Sequence, residues 1–525
     1  LEIIKYSNHS SPRYLSKNFG EILIFFNSKG KKMSSITHLL IGIILIASLT
    51  SSQATVITVG QQGCDFYRIE AALDSAGPGD IIEVQSGEYY VNLNITVPLL
   101  VLRGKDTGNG RPVLRAGSST ADIEQSSNGM TEMVVKSGGT AIAIREFGCI
   151  IDGFDITGVT WPVPYGSGEH NDLIGNAAIR VYSDGNTISN NTFYGSDLTA
   201  IGLWNCSNNR IINNTIKDIP FGYAVELYNS HQNNIEGNKL IQNHWGIEMQ
   251  RSDSNIIEGN EITDSINDAI KAMKCNFSII SGNTITGSGW ESEFESNGKG
   301  IYLVGSMGLI SNNLILSNRG YGIYIESIFW NNYPADESYE NLIHRNKIRG
   351  NGKDGICLVK SWQNHLWDNN ITANQGDGIS LAFSHNNTVE SSNISRNQHG
   401  ILLHQSNYTE IANSTIMDEA KSGILLDQYC TGNTLATNIV SNSTEGINIS
   451  GTSHGNTIFG NNLTSNVQPA WDEAANSWDK EGKGNYYGQM DCKDQDSNGI
   501  CDSPYPIAGG SSVDRYPLVS WTRMQ

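Results

Sequence analysis

The chain has 525 residues, a formal charge of -19 at neutral pH and 12 prolines among 55 glycines. That length could hold several domains. The acidic balance and the lack of a basic patch argue against a nucleic-acid partner, and an acidic exterior would repel a polyanionic glycan unless a cation intervened.

Residues 1–32 begin without Met and carry Lys29, Lys31 and Lys32 just before Met33; they read as an upstream extension. Residues 33–54 have the pattern of a secretory signal: Met33, an apolar core from Leu39 to Leu49, then Ser52-Gln-Ala54 as a small-residue cleavage site. The apolar core is too short for a comfortable membrane span. No second apolar run follows near the C-terminus, so export without a remaining span, to the exterior or the cell surface, is the expectation.

Residues 55–157 read as an N-terminal cap and first coils. Within them, Asp65 is placed as the N-cap of a short helix with apolar residues at 66, 69, 73 and 76 and a terminating Gly77. Such a helix would protect the first coil from edge pairing. Residues 158–175 form a loop excursion containing Trp161-Pro-Val-Pro-Tyr165.

From 176 to 465 a unit of mostly 22 to 24 residues recurs. One landmark is an apolar residue usually preceded by Gly or Ala: Ile179, Ile201, Val225, Ile247, Ile270, Ile301, Ile323, Ile356, Ile379, Ile401, Ile424 and Ile447. The other is an amide three residues after an Ile or Leu, running from Asn191 and Asn214 to Asn438 and Asn461, with Ser392 and Ser414 substituting. A unit this short cannot bury its own apolar face, so it must stack on its neighbours. Ile, Thr and Asn without a helical period point to an all-β solenoid: one parallel β-helix of about a dozen coils, on the order of 60 Å long at ~4.8 Å per coil. The recurring Asn side chains are then an internal hydrogen-bonded ladder.

If each first Ile points inward, the residues one and three places later face out. They include Arg180 and Tyr182, Trp204, Glu226 and Tyr228, Glu248, Lys271, Tyr302 and Tyr324. Aromatics on adjacent coils suit sugar rings, and carboxylates beside Lys or Arg suit glycan hydrolysis or β-elimination. Cross-coil stabilisation of an exposed sheet explains the same residues without a ligand. Outward Leu402 and Leu425 suggest a cover, for which the segment after 466 is the candidate.

Two stretched units add Trp290-Glu-Ser-Glu-Phe-Glu295 and a loop that starts at Trp330, both candidate walls of a carbohydrate groove. Sequons at Asn190, Asn213, Asn370, Asn393 and Asn462 flank the ladder position, where strand alternation would turn them outward as glycosylation acceptors.

Residues 466–525 read as a C-terminal cap. Asp494, Asp496, Asn498, the Ile500 carbonyl and Asp502 follow the first half of a calcium loop, although Tyr505 stands where a bidentate Glu is expected. Cys492 and Cys501 are close enough for a local disulfide, and the absence of a Cys-x-x-Cys pair argues against zinc.

Thr55-Val-Ile-Thr-Val-Gly60, Gly79-Asp80-Ile81-Ile82-Glu83-Val84, Gly87-Glu88-Tyr89-Tyr90, Gly499-Ile500-Cys501-Asp502-Ser503-Pro504-Tyr505 and Asp514-Arg515-Tyr516-Pro517-Leu518, together with the repeat, resemble NosD-like proteins. These carry the carbohydrate-binding and sugar-hydrolysis (CASH) repeat, and the likeness is to secreted and cell-surface members from archaea. The resemblance spans residues 55 to 520 and implies a right-handed helix and copper handling. Copper needs converging His, Met or Cys, and His399 with His404 is the one near pair, so copper is not expected.

The sequence therefore reads as an exported β-helix that binds a polysaccharide or glycoconjugate, or serves among other envelope proteins, without catalysis. The alternative is a lyase, epimerase or glycoside hydrolase using Glu226, Glu248, Lys271 and Arg180.

Overall fold

Branched apolar side chains recur once per coil, and the chain winds so that each lies on its counterpart in the next. The result is a right-handed parallel β-helix with three long sheets. The computed structural model describes residues 54–117, 123–125, 131–133, 139–158, 177–289, 298–330, 333–488 and 490–522, the helix belonging to a compact unit from Val56 to Gln525. Residues 33–53 of the expected signal, Trp161–Tyr165, Trp290 with Glu291, Glu293 and Glu295, and the side chain of Trp330 lie outside the described residues and side chains.

Each coil visits the sheets in a fixed order. Arg210–Ile212 lies in sheet A, Thr215–Lys217 in sheet B and Tyr223–Tyr228 in sheet C, and the next coil repeats the circuit. Sheets A, B and C contain 16, 14 and 15 strands. The helix is longer than a dozen coils because sheet A already holds Val56–Val59, Ile81–Gln85, Val101–Lys105 and Ile150–Asp152 before the repeat begins. Those coils lack the Gly-Ile and Asn signature, yet Leu102, Ile151 and Ile188 occupy one register position.

The first landmark of the repeat is a single buried column: Ile179 pairs with Ile201, which pairs with Val225, then Ile247 and Ile270. It extends back to Ile142 and Leu93 and forward to Ala470. Each such side chain contributes about 1.5–3 kcal/mol of burial.

The second landmark is the corner between sheets A and B. Asn191 donates from its backbone and side chain to Asn214 Oδ1 at 3.0 and 3.2 Å, Asn214 likewise to Asn238, and the chain of amides continues to Asn461 and Asn485. Ser392 and Ser414 keep the backbone link. The preceding residue is left-handed, with φ of +63° at Gly237 and +64° at Gly259, which explains Gly or Asn there. A second ladder, Asn186 to Asn209, Asn233 and Asn255, serves the corner between sheets C and A.

The N-terminal helix α1 spans Ile69–Ser75, shorter than expected, with Arg68 at its N-cap. Asp65 is not the cap: its carboxylate accepts the Thr58 amide at 2.9 Å and hydroxyl at 2.7 Å, which ties it to the first strand. The apolar face is as read, with Ile69 buried and Phe66, Leu73 and Ala76 packed against the core.

The C-terminal segment does not fold back over Leu402 and Leu425. Gln468–Asp472 instead continues the stack of sheet C, placing Trp471 beside Asn448. Beyond it the fully buried Trp478 donates from Nε1 to Asp472, and the amide ladder ends where Asn485 N donates to Asp514 at 2.7 Å. Burial raises the Asp514 carboxyl to about 6.

Candidate functional site

The outer face of sheet C brings the expected strip into register. Glu226 pairs with Glu248, Glu248 with Lys271, Lys271 with Tyr302 and Tyr302 with Tyr324, while Arg180 lies beside Gly202. The column two residues on aligns Trp204, Tyr228 and Gln250.

At the N-terminal end the strip is aromatic and cationic. The Trp204 and Tyr228 rings are 5.6 Å apart, and the Arg180 guanidinium lies 5.6 Å from the Tyr182 ring and 5.8 Å from that of Trp204. Arg145 approaches the Tyr182 ring at 4.9 Å. These half-buried rings offer apolar faces edged by charge, and cation–π contact holds them in place. Gly202 carries no side chain beside Trp204, whose Nε1 is a buried donor without a hydrogen-bond partner.

In the middle, Glu248 is 2% exposed and its Oε1 lies 3.1 Å from Lys271 Nζ, which in turn sits 5.0 Å from the Trp245 ring. Glu226 is driven up to about 7, first by burial and then by the adjacent Glu248 charge, with Arg180 and Thr199 opposing. The Tyr223 hydroxyl is raised by burial and by Glu248. A carboxyl that is half protonated near neutrality is able to act as either acid or base.

At the C-terminal end Tyr302 and Tyr324 both donate to Glu326, the latter at 3.2 Å. Lys299 Nζ lies 4.4 Å from the Tyr302 ring and 3.7 Å from Asp268 Oδ1. Burial lowers Lys299 and raises Asp268, each partly offset by the other.

Thr199, Tyr223, Trp245, Asp268, Lys299 and Tyr321 were not singled out by strand alternation. They share one place, two residues before the Ile landmark, where the chain enters sheet C from the corner and alternation breaks: Ala224 is buried beside the partly exposed Tyr223. Reading that column unit by unit would have found them, because polar and aromatic residues fill it down to Asp354, Asp377 and His399.

The remaining candidates separate. Asn190 and Asn213 are exposed but are left-handed corner residues, with φ of 55° and 56°, rather than strand residues. Asn190 Nδ2 already donates to Asp152 at 2.7 Å. Asn370 and Asn393 are exposed at the start of sheet B strands, whereas Asn462 is half-buried with an unpartnered Oδ1.

Cys492 and Cys501 are bonded, with S–S at 2.05 Å. Beside them, carboxylate oxygens of Asp494, Asp496 and Asp502 lie within 4.8 Å of one another. Asn498 Oδ1 accepts the Ile500 amide, and Ile500 bridges to Leu518. Desolvation notwithstanding, amide donation from Gly499 holds Asp494 below the usual carboxylate range.

Three stacked sheets, a continuous isoleucine core and internal asparagine ladders define a right-handed parallel β-helix protein. A family described as periplasmic copper-binding protein (NosD) matches residues 166–333 and 331–492, more than half of the chain, and the protein belongs to that family. No curated protein matches. Among solved structures, a mutant of the periplasmic alginate epimerase AlgG is 14% identical with a TM-score of 0.40, covering 70% of this chain and 79% of its own. Dettilon tailspike protein is 13% identical with a TM-score of 0.46, covering 76% and 69%, and the Azotobacter vinelandii mannuronan C-5 epimerase AlgE6 A-module is 13% identical at 0.33, covering 78% and 92%.

The described residues do not fit the copper of the family's description. Soft thiolates or converging imidazoles are needed, but burial raises the thiols of Cys149, Cys206, Cys275, Cys357 and Cys430. His365, His399 and His404 each bond a separate carboxylate. The group of three or more metal-ligating side chains among the described residues is the all-oxygen Asp494, Asp496 and Asp502. Among the same residues no helix is long and apolar enough to cross a membrane.

Proposed function

We propose that this protein is an exported carbohydrate-binding β-helix that holds a polysaccharide along the outer face of sheet C. The observation that carries the reading is the register of Trp204 and Tyr228 with the charged column Arg180, Glu226, Glu248 and Lys271, beside which the Tyr182 ring meets Arg180. Successive coils are ~4.8 Å apart, close to the length of a sugar residue, so a chain laid along the helix axis meets a ring or a charge on each coil. The Asp494, Asp496 and Asp502 loop would hold calcium in a structural role, since hard cations take oxygen ligands.

A second reading is catalytic, and the carboxyl of Glu226 at about 7 favours it. Glu226 would be the general acid, and Lys271 or Arg180 would stabilise developing negative charge. Against this, Glu248 is already paired with Lys271, and both carboxylates stand on one sheet face rather than on opposite walls of a cleft.

Incubating the protein with neutral and acidic polysaccharides, while following co-sedimentation, new reducing ends and unsaturated products, separates the readings. Binding without products is expected. Products that vanish on Glu226→Gln would make the strip an active site, and failure to bind any glycan would leave a structural envelope role.

A further inference from the structure

The outer face of sheet A carries an aliphatic column. Ile256, Ile279, Leu309 and Leu342 follow one another on four successive coils, each half-buried and outward, while Ile257, Ile280, Ile310 and Ile343 between the sheets fill the core. A solvated sheet face would carry polar residues there. Phe277, the extra residue of a β-bulge, widens the apolar face at the corner with sheet C, where it is 66% exposed beside the partly exposed Met307. A contiguous apolar patch rimmed by charge marks a contact surface.

The two ends of the column carry opposite charge patterns. Towards the N-terminus stand Arg210, Glu236 and Glu258, and the two carboxylates are neighbours on adjacent coils. Like charges side by side on a sheet cost stability, yet none of the three enters an ion pair among the described residues. Towards the C-terminus stand Arg345, His365 and Glu390. Arg345 is exposed and reaches Asp368 from Nε at 3.2 Å, and His365 holds Glu390 at 2.8 Å.

A two-fold axis running along the strands, between the coils of Ile279 and Leu309, lays this face on itself with the coils in reverse order. Ile279 then meets Leu309 of a second copy, Ile256 meets Leu342, and Phe277 meets Met307. Glu258 faces the coil of Arg345, Glu236 that of His365, and Arg210 that of Glu390. The corner between sheets A and B matches in bulk as well. Gly237, Gly259 and Gly282 stand opposite Asp368, Arg345 and Asn312, and a Cβ on Gly259 would meet nothing within 4 Å. An axis along the helix instead would set Glu258 against Ile256 and leave the charges unmatched.

We propose that a second copy of this chain docks on sheet A, face to face and with its helix axis reversed, to form a two-fold symmetric dimer. A self-complementary patch is what such symmetry requires. The aliphatic middle supplies the affinity and the charged ends fix the register. The contact leaves the outer face of sheet C clear, so the inference stands apart from the carbohydrate reading.

Sedimentation velocity on the whole protein tests it. A reversible species of twice the monomer mass is expected to dominate at about 50 μM, and Leu309→Glu should abolish it with little change in the thermal midpoint. Glu258→Lys and Arg345→Glu, both at exposed positions, should each weaken the dimer about tenfold by setting like charges opposite one another. An equimolar mixture of these two variants should recover it, because every facing pair is then opposite in sign. A protein that stays monomeric at about 100 μM, a dimer that survives Leu309→Glu, or a mixture that associates no better than either variant alone overturns the proposal.

Discussion

Lys271 Nζ and Glu248 Oε1 meet at 3.1 Å across one coil boundary, with the Glu248 side chain 3% exposed and that of Lys271 19%. Removing one partner of such a pair leaves a charge in a poor dielectric, whereas removing both leaves none. Lys271→Met is therefore expected to destabilise the protein by about 3 kcal/mol. The double change Lys271→Met/Glu248→Met should recover most of the loss, read from urea midpoints of the four proteins in the cycle.

Raised carboxyls make stability fall with pH. Glu226 and Glu419 are raised from 4.5 to about 7, and Asp354 and Asp514 from 3.8 to about 6, burial being the first cause in each. Between the ordinary and the folded values, the folded state binds more protons than the unfolded one. Stability is thus full below about pH 4 with respect to these groups and is lost as pH rises towards 7. Thermal melts from pH 5 to 8 should show a falling midpoint, and Glu226→Gln or Glu419→Gln should flatten the slope.

The asparagine ladder gives a contrast between neighbours. Asn346 accepts two bonds from Asn313 at 3.0 Å and donates from Nδ2 to Ile310 O and to Asn369. Asn346→Ala strands these groups and is expected to cost about 3 kcal/mol, at ~1–3 kcal/mol per unsatisfied buried group. Asn370→Ala, at an exposed position, should stay within about 0.5 kcal/mol. Chemical denaturation of the two variants checks the difference.

For the calcium loop, adding calcium to metal-free protein should raise the melting midpoint, and chelation should reverse it. Asp494→Asn/Asp496→Asn should abolish the response. An unchanged midpoint in wild type would remove calcium from the account.

Stacking was legible because it imposes a period: Ile must sit on Ile and Asn on Asn, so both columns appear in the sequence at fixed intervals. The number and register of the first coils within 55–157 were not, because Leu102, Cys149 and Phe154 fill core positions without that signature. The outward strip followed from alternation where the strand is regular. Tyr223, Trp245 and Lys299 escaped because they stand at the corner, where alternation fails although the register persists.

The most direct measurement is the structure of the protein with an oligosaccharide selected from the binding panel. The account predicts sugar rings on the outer face of sheet C, one against Trp204 and Tyr228, with the chain running parallel to the helix axis towards Tyr302 and Tyr324. Sugar bound on sheet A or sheet B with the strip bare would contradict it.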